Sequence, residues 1–149
     1  MKRFHFSLER VREWRRIQLE TEQEKLEQLV RDRQSLTRES QNLQESRAEA
    51  EIAVWSGGVT DAVQLRALDD FRLYIASEQR KLLLRMTTCE QKIAAQRERV
   101  IEERRRATLL DRLRERRHAD WQKDFDRELE ALAAESYLAN WVRTKQTSA

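Results

Sequence analysis

The sequence contains no proline and only two glycines, which are adjacent at positions 57 and 58. Proline breaks helices and glycine weakens them, so long helices can run without an internal breaker on either side of this pair. Gly57 and Gly58 are therefore the one clear signal for a change of chain direction, because glycine adopts the left-handed backbone found at helix ends.

Cysteine and long apolar runs are also scarce. The single cysteine, Cys89, excludes an internal disulfide and is compatible with a reducing compartment. No window of about 18 apolar residues occurs, so no membrane span is expected. The first residues include two basic side chains but no continuous apolar stretch, so we expect no cleavable signal peptide. These features favour a cytoplasmic protein.

Charged residues are abundant: they make up 38% of the 149 residues, with 30 basic and 27 acidic side chains and a formal net charge of +3. The apolar residues are mostly Leu, Ala, Val and Ile, mixed with Glu, Arg and Gln. This composition is typical of long helices and coiled coils. The small positive excess is poor evidence for nucleic-acid binding.

Apolar residues recur in steps of three and four on both sides of the glycines, which predicts coiled-coil helices. Helix one is predicted over about 4–55, a turn over 56–60, helix two over about 61–142 and a disordered tail over 143–149. Ser7 is a candidate cap for helix one, and Thr60 or Asp61 for helix two. The predicted seam of helix one is Leu19, Leu26, Leu29, Leu36, Leu43, Ala50 and Val54. That of helix two is Leu65, Leu68, Arg72, Ile75, Gln79, Leu82, Met86, Cys89, Ile93, Gln96, Val100, Glu103, Ala107 and Leu110.

Two apolar stripes joined by a short turn predict an all-α fold, a long antiparallel two-helix coiled-coil hairpin forming a single domain over 1–149. With the bend at the glycines, residue i should face about residue 115 − i. The N-terminal end of helix one, at Phe4, then lies opposite Asp111 of helix two. Helix two continues past this point as a C-terminal helical overhang from Arg112. On this register, Arg114 and Arg117 occupy seam positions because nothing in the chain opposes them.

The overhang carries an apolar stripe, in which Trp121, Phe125, Leu129 and Leu132 step by four, four and three. One helix cannot bury such a stripe alone, so a partner surface is expected. The alternative is that the overhang folds back onto Phe4, Phe6 and Trp14.

Signs of chemistry are few. A two-helix rod offers no concave catalytic site, so no enzyme activity, cofactor or metal site is predicted. His5 and His118 are isolated in sequence, no phosphate-binding glycine loop is present, and Cys89 fits a small buried core residue. The arginine-rich run over 97–118 lacks aromatic residues for base stacking and alternates with acidic residues. A solvated helix flank explains it better than a nucleic-acid site.

The ends of the chain resemble the FliJ family, the coiled-coil component of the bacterial flagellar type III export apparatus. The opening "FHFSLERVREWRRIQLETEQEKL" is similar to the family's N-terminus. The segment "LLDRLRERRHADWQKDFDRELEALAAESY" is similar to its C-terminal pattern of basic, aromatic and then acidic residues. Ala131 and Leu132 depart from it, since the family often has a more polar run there.

The resemblance implies a non-enzymatic stalk that inserts into the hexameric export ATPase, activates it and links it to the membrane export gate. Some family members also escort unloaded export chaperones. The protein would then lie at the cytoplasmic face of the inner membrane, at the flagellar base. The implied ATPase-contacting residues are Phe4, Leu8, Arg12, Arg114, Arg117, Trp121 and Phe125, and the implied gate-contacting residues are Phe71 and Ile75. A stalk of a related injectisome, a coiled-coil tether or chaperone without an ATPase partner, and an RNA-binding hairpin are the alternatives.

Overall fold

The computed structural model describes residues 3–58 and 61–147, and these residues form two helices and no strand. Helix α1 spans Glu9–Ser56 and helix α2 spans Ala62–Thr147. The two helices pack against each other as a hairpin, which confirms the predicted all-α fold. Contacts along the hairpin join early residues of α1 to late residues of α2, so the helices are antiparallel.

The turn between the helices contains the left-handed residue expected from the glycines. Gly58 has φ +76°, a conformation that side chains with a Cβ rarely adopt. The carbonyl of Asp61 accepts a hydrogen bond from the Leu65 amide at 3.2 Å, and the Asp61 amide donates to Gln64 Oε1 at 3.4 Å. Asp61 therefore occupies the capping position of α2, with Gln64 completing one half of a capping box. Thr60, the other predicted cap, lies outside the described residues.

The chain forms two compact units, one of residues 18–103 and one of the residues before and after that range. In the unit of residues 18–103, the core follows the predicted seam. Its buried residues are Leu36, Leu68, Ile75, Leu82, Cys89, Ile93, Gln96 and Val100. Most α1 seam residues are half-buried, because a single opposing helix cannot cover a helix stripe completely.

The predicted register is wrong by about three residues in this unit. Cys89 Sγ donates to the Leu29 carbonyl at 3.4 Å, and Gln96 Nε2 donates to the Glu22 carbonyl at 3.0 Å, so residue i faces about residue 118 − i. The error has a simple cause. The prediction centres the bend on the two glycines, whereas the connection between the helices runs from Gly57 to Asp61.

Hydrogen bonds and ion pairs hold this register at the flanks of the core. Arg33 Nη2 lies 2.7 Å from Glu90 Oε1, and Arg72 Nε lies 3.0 Å from Glu51 Oε1. These groups are partly exposed, so each pair adds little free energy. Their main effect is to disfavour other alignments of the two helices.

The helix ends differ from the predicted ones. Helix α1 begins at Glu9 rather than near Phe4, and residues 3–8 form an irregular N-terminal segment. Helix α2 continues to Thr147, so residues 143–147 of the predicted disordered tail are helical. The last two residues of that predicted tail, 148 and 149, lie outside the described residues.

Candidate functional site

The candidate site lies in the unit that contains both ends of the chain. It combines the N-terminal segment, the first turns of α1 and the part of α2 after Ala107. Phe4 and Phe6 alternate with His5 in an irregular backbone, and side chains two residues apart in an extended chain share a side. Phe6 is buried, Phe4 is half-buried and His5 is exposed. The two phenylalanines therefore anchor the N-terminal segment on α2.

Four rings form an aromatic cluster, which consists of Phe4, His118, Trp121 and Phe125. The Phe4 ring meets His118 edge-on at 4.9 Å and lies 5.9 Å from Trp121. Trp121 stacks on Phe125 at 5.2 Å. Ring pairs at such distances stabilise by about 0.5–1.5 kcal/mol beyond the burial of their area. The cluster brings together three of the predicted ATPase-contacting residues.

Arginine side chains surround this cluster and connect α1 to α2. Arg12 Nε lies 2.5 Å from Asp111 Oδ1, and Arg12 Nη1 lies 2.7 Å from Glu9 Oε1. The hydrogen bond that Arg12 donates to Asp111, followed by the one it donates to Glu9, raises the pKa of Arg12 above its usual value. The Arg12 side chain is only 17% exposed. It therefore stabilises the packing of the two helices, and most of its surface is not accessible to a partner.

The prediction that nothing in the chain opposes Arg114 and Arg117 is wrong, because both have partners within the chain. Arg114 Nε lies 3.2 Å from Glu9 Oε2, and Arg117 Nη1 donates to Ser7 Oγ at 3.2 Å. Their guanidinium groups also lie about 6 Å from the ring centroids of Phe4 and Phe6, respectively.

This correction has the same physical origin as the late start of α1. A residue outside a helix can span up to roughly 3.3 Å, against 1.5 Å in a helix, so the non-helical N-terminal segment can reach further along α2. Phe4 consequently meets His118 and Trp121 instead of Asp111. The buried Phe6 was not predicted as a site residue, although its spacing of two from Phe4 was a usable signal.

Beyond Phe125, every α2 residue with a described side chain is exposed. We call residues 126–147 the tail. Its large apolar side chains are between 43% and 71% exposed: Leu129, Leu132, Tyr137, Leu138, Trp141 and Val142. The C-terminal helical overhang therefore exists but begins later than Arg112. Leu129 and Leu132 show that the apolar stripe continues past the point where the N-terminal segment covers it.

The second candidate region lies near the turn, in the unit of residues 18–103. Ile75 is 1% exposed, so it is a core residue and offers no surface to an export-gate partner. Phe71 is half-buried and stacks on Tyr74 at 6.3 Å. It also lines an apolar cleft of about 420 Å³ with Ala50, Ala53, Val54, Gln64, Ala67 and Leu68. Of the two predicted gate residues, only Phe71 is accessible.

Cys89 and the metal-ligating residue types are the remaining candidates for chemistry. Cys89 is 7% exposed within the core and donates to the Leu29 carbonyl, as expected of a small core residue. Among residues 3–58 and 61–147, no cluster of three or more His, Cys, Asp or Glu residues is arranged to hold a metal ion. Over the same residues, neither helix has a stretch long and apolar enough to cross a membrane.

Comparison with known proteins gives no relative from which a role could be transferred. No protein-family model, no curated protein and no solved structure matches the chain.

Proposed function

We propose that this protein is a non-enzymatic stalk of the bacterial flagellar protein export apparatus, which binds and activates the hexameric export ATPase and links it to the membrane export gate. The observation that carries the proposal is the exposed apolar surface of the tail, next to an aromatic cluster that holds the N-terminal segment on α2. A large exposed apolar surface on a helix usually marks a binding surface for another protein. The resemblance of both chain ends to the FliJ family supplies the identity of that partner.

The site geometry divides the implied ATPase-contacting residues into those engaged within the chain and those accessible to a partner. Phe4, Arg12, Arg114 and Arg117 are engaged within the chain. Phe4 and the Arg117–Ser7 contact hold the N-terminal segment on α2, whereas Arg12 and Arg114 join α1 to α2. Leu8, the last residue of the N-terminal segment, is half-buried. The contact with the ATPase then falls mainly on Phe125 and on Leu129 and Leu132 of the tail. ATP hydrolysis belongs to the partner, and the chain stabilises the assembled hexamer.

The test adds the purified chain to the export ATPase from the same genome and measures ATP turnover at saturating concentration. We expect turnover to rise with the unmodified chain and to fall back towards the basal rate with Leu129→Asp combined with Leu132→Asp. The matched control is Leu83→Asp combined with Leu84→Asp, which places the same charges at side chains 63% and 70% exposed. Turnover that is unchanged by the unmodified chain would rule the stalk out.

The gate contact is tested separately with the purified cytoplasmic part of the export gate. Phe71→Ala should weaken binding, because it removes the accessible aromatic side chain of the cleft near the turn. Leu73→Ala, at a side chain 71% exposed and two residues away, is the control and should bind normally. Equal binding by both variants would place the gate contact elsewhere.

Comparing the ATPases of a flagellar and an injectisome system distinguishes the two kinds of stalk. Export chaperones can be screened for binding to the chain in the same assay.

A further inference from the structure

The tail carries apolar side chains on two different sides of α2. At about 100° per residue, Trp121, Phe125, Leu129 and Leu132 fall within a sector of roughly 80°. We call this the first face. Its next helical positions are Ser136, Ala139 and Arg143, so no large apolar residue extends it. The first face therefore ends at Leu132.

A second apolar face begins where the first ends. Leu138 and Trp141, which are 58% and 48% exposed, lie roughly 180° around the helix from the first face, with Ala134 between them. Val142 and Tyr137 flank this second face and are also exposed. The apolar surface thus changes sides over the nine residue steps from Leu132 to Trp141, a rise of about 14 Å.

This change of side limits the shape of a partner. A partner helix packed along α2 follows one stripe, and its crossing angle turns that stripe only gradually. A flat surface likewise covers one side of a helix. Neither can cover two opposite faces within three helical turns. The partner must reach both sides of the tail, as a collar or socket does.

The charges change together with the faces. Residues 120–135 contain six acidic and two basic side chains, whereas residues 136–147 contain Arg143 and Lys145 and no acidic residue. Lys145 Nζ lies 4.2 Å from the Trp141 ring centroid, so positive charge lies directly beside the second face. Complementary surfaces are therefore basic around the first face and acidic around the second.

A second copy of the chain does not meet this requirement. Pairing the first faces of two copies, in parallel or antiparallel, brings their acidic segments of residues 120–135 together. Like charges opposed across an interface are unfavourable. Pairing through the first faces is therefore unfavourable, and a helix of a second copy would in any case follow only one stripe of the tail.

We infer that the tail is held in a socket of one partner that surrounds it, with an apolar, basic-rimmed contact for the first face and an apolar, acidic-rimmed contact on the opposite side for the second. This inference rests on the proposed function, in which the export ATPase forms the socket. It goes further by assigning two contacts on opposite sides of the tail, at different depths and with opposite rim charges. Leu138 and Trp141 become contact residues that the sequence pattern alone did not single out as a separate face.

The first experiment maps the two contacts by photo-crosslinking in the full-length chain, with the purified hexameric export ATPase as the probe. Benzoylphenylalanine replaces Leu132 in one sample, Leu138 in a second and the exposed Leu84 in a control. We expect both tail positions to crosslink to the ATPase, through different peptides, and the control position not to crosslink.

The outcomes separate the two proposals. If the chain raises ATP turnover but only one of the two tail positions crosslinks, or both reach the same peptide, the two-sided socket is wrong and the stalk survives. If the chain neither raises turnover nor crosslinks from either tail position, both proposals fall. Crosslinking between two copies of the chain in place of the ATPase would also overturn the socket.

A second experiment tests the opposite rim charges through the rate of association with the same ATPase. Asp124→Lys combined with Glu128→Lys should slow association by at least about threefold at low salt, and Lys145→Glu, beside the second face, should slow it too. Glu20→Lys combined with Glu24→Lys is the matched control, since it makes the same charge change at the same spacing on α1. Faster association of either tail variant would contradict the assigned rim charge.

Discussion

Ile75 and Leu73 are two residues apart on α2 but differ sharply in exposure, at 1% and 71%. Ile75→Ala removes core methyl groups and leaves a cavity between the helices, so it should lower the free energy of unfolding by about 2–4 kcal/mol. Leu73→Ala should change it by less than about 0.5 kcal/mol. Urea unfolding followed by circular dichroism measures both. Similar losses from the two variants would contradict the assignment of Ile75 to the core.

At the same scale, the sequence predicts core residues well and their partners poorly. Leu82, Cys89 and Val100 are buried as the heptad spacing requires, because the spacing determines which side of a helix is apolar. Arg114 and Arg117 show what heptad spacing cannot predict. Their seam positions were evident, but their contacts with Glu9 and Ser7 depend on how far the N-terminal segment reaches, which heptad spacing does not encode.

Glu22 gives the hairpin a pH-dependent contact beside the buried Gln96. Hydrogen bonds from Lys25 and then from Gln96 lower the pKa of Glu22, and they outweigh the opposing effect of burial. A carboxylate whose pKa is lower in the folded state stabilises that state above its unfolded pKa of about 4.3. This stabilisation is lost as the pH falls through the lower, folded-state pKa.

Glu22→Gln should therefore destabilise the protein at pH 7 by about 1 kcal/mol, and the difference from the unmodified chain should shrink as the pH falls below about 4. Urea unfolding at pH 7, 5 and 3 measures it. Glu20→Gln, which removes a charge at an exposed position two residues away, is the control. A difference for Glu22→Gln that stays constant down to pH 3 would show that its carboxylate is not the stabilising group.

At the scale of the elements, the turn depends on one glycine more than on the other. Gly58 has φ +76° and no neighbouring atom within 4 Å of an added Cβ, so Gly58→Ala should cost about 1–2 kcal/mol from backbone conformation alone. Gly57 has no such φ, and a Cβ there meets only ordinary contacts at 3.9 Å. Gly57→Ala should be neutral or stabilising by up to about 1 kcal/mol.

Thermal unfolding of the two glycine variants measures this difference directly. An equal effect of the two substitutions would mean that the left-handed residue is not required at position 58. The sequence predicts that the chain turns at this pair, because glycines are absent elsewhere. It does not predict which residue takes the left-handed conformation, and the uncertain length of the connection caused the register error of three residues.

The N-terminal segment is the element that sequence patterns described least well. Phe4 and Leu8 are four residues apart and fit a helix, whereas Phe4 and Phe6 are two apart and fit an extended chain. In the structure the segment is irregular and not helical, and both rings contact α2. Burial of Phe6 and the ring contacts of Phe4 with His118 and Trp121 offset the helical hydrogen bonds that the segment does not form.

For the whole molecule, the hairpin follows from composition and spacing, but the surface that recognises a partner does not. Periodicity predicted the first face of the tail, because Phe125, Leu129 and Leu132 continue the seam. The second face lies on the opposite side and breaks that periodicity. It is recognisable only when the exposure of Leu138 and Trp141 is combined with the end of the first face at Leu132.

The charges of the tail make a prediction about the isolated protein. Because pairing of the first faces would superpose segments with six acidic and two basic residues, repulsion should keep the tails apart at low ionic strength. Salt screens such repulsion over roughly 10 Å at 0.1 M, so self-association should increase with salt. Sedimentation equilibrium at 20 mM and 500 mM salt measures it.

The variant Asp124→Asn combined with Glu128→Gln should associate more strongly than the unmodified chain at low salt, since it removes two negative charges per copy while retaining Leu129 and Leu132. Replacing those two leucines with aspartate should abolish the association at both salt concentrations, because the first face then has no exposed apolar side chains beyond Phe125. If instead the unmodified chain associates most strongly at low salt, opposite charges drive the pairing. A second copy would then fit the tail better than the socket does.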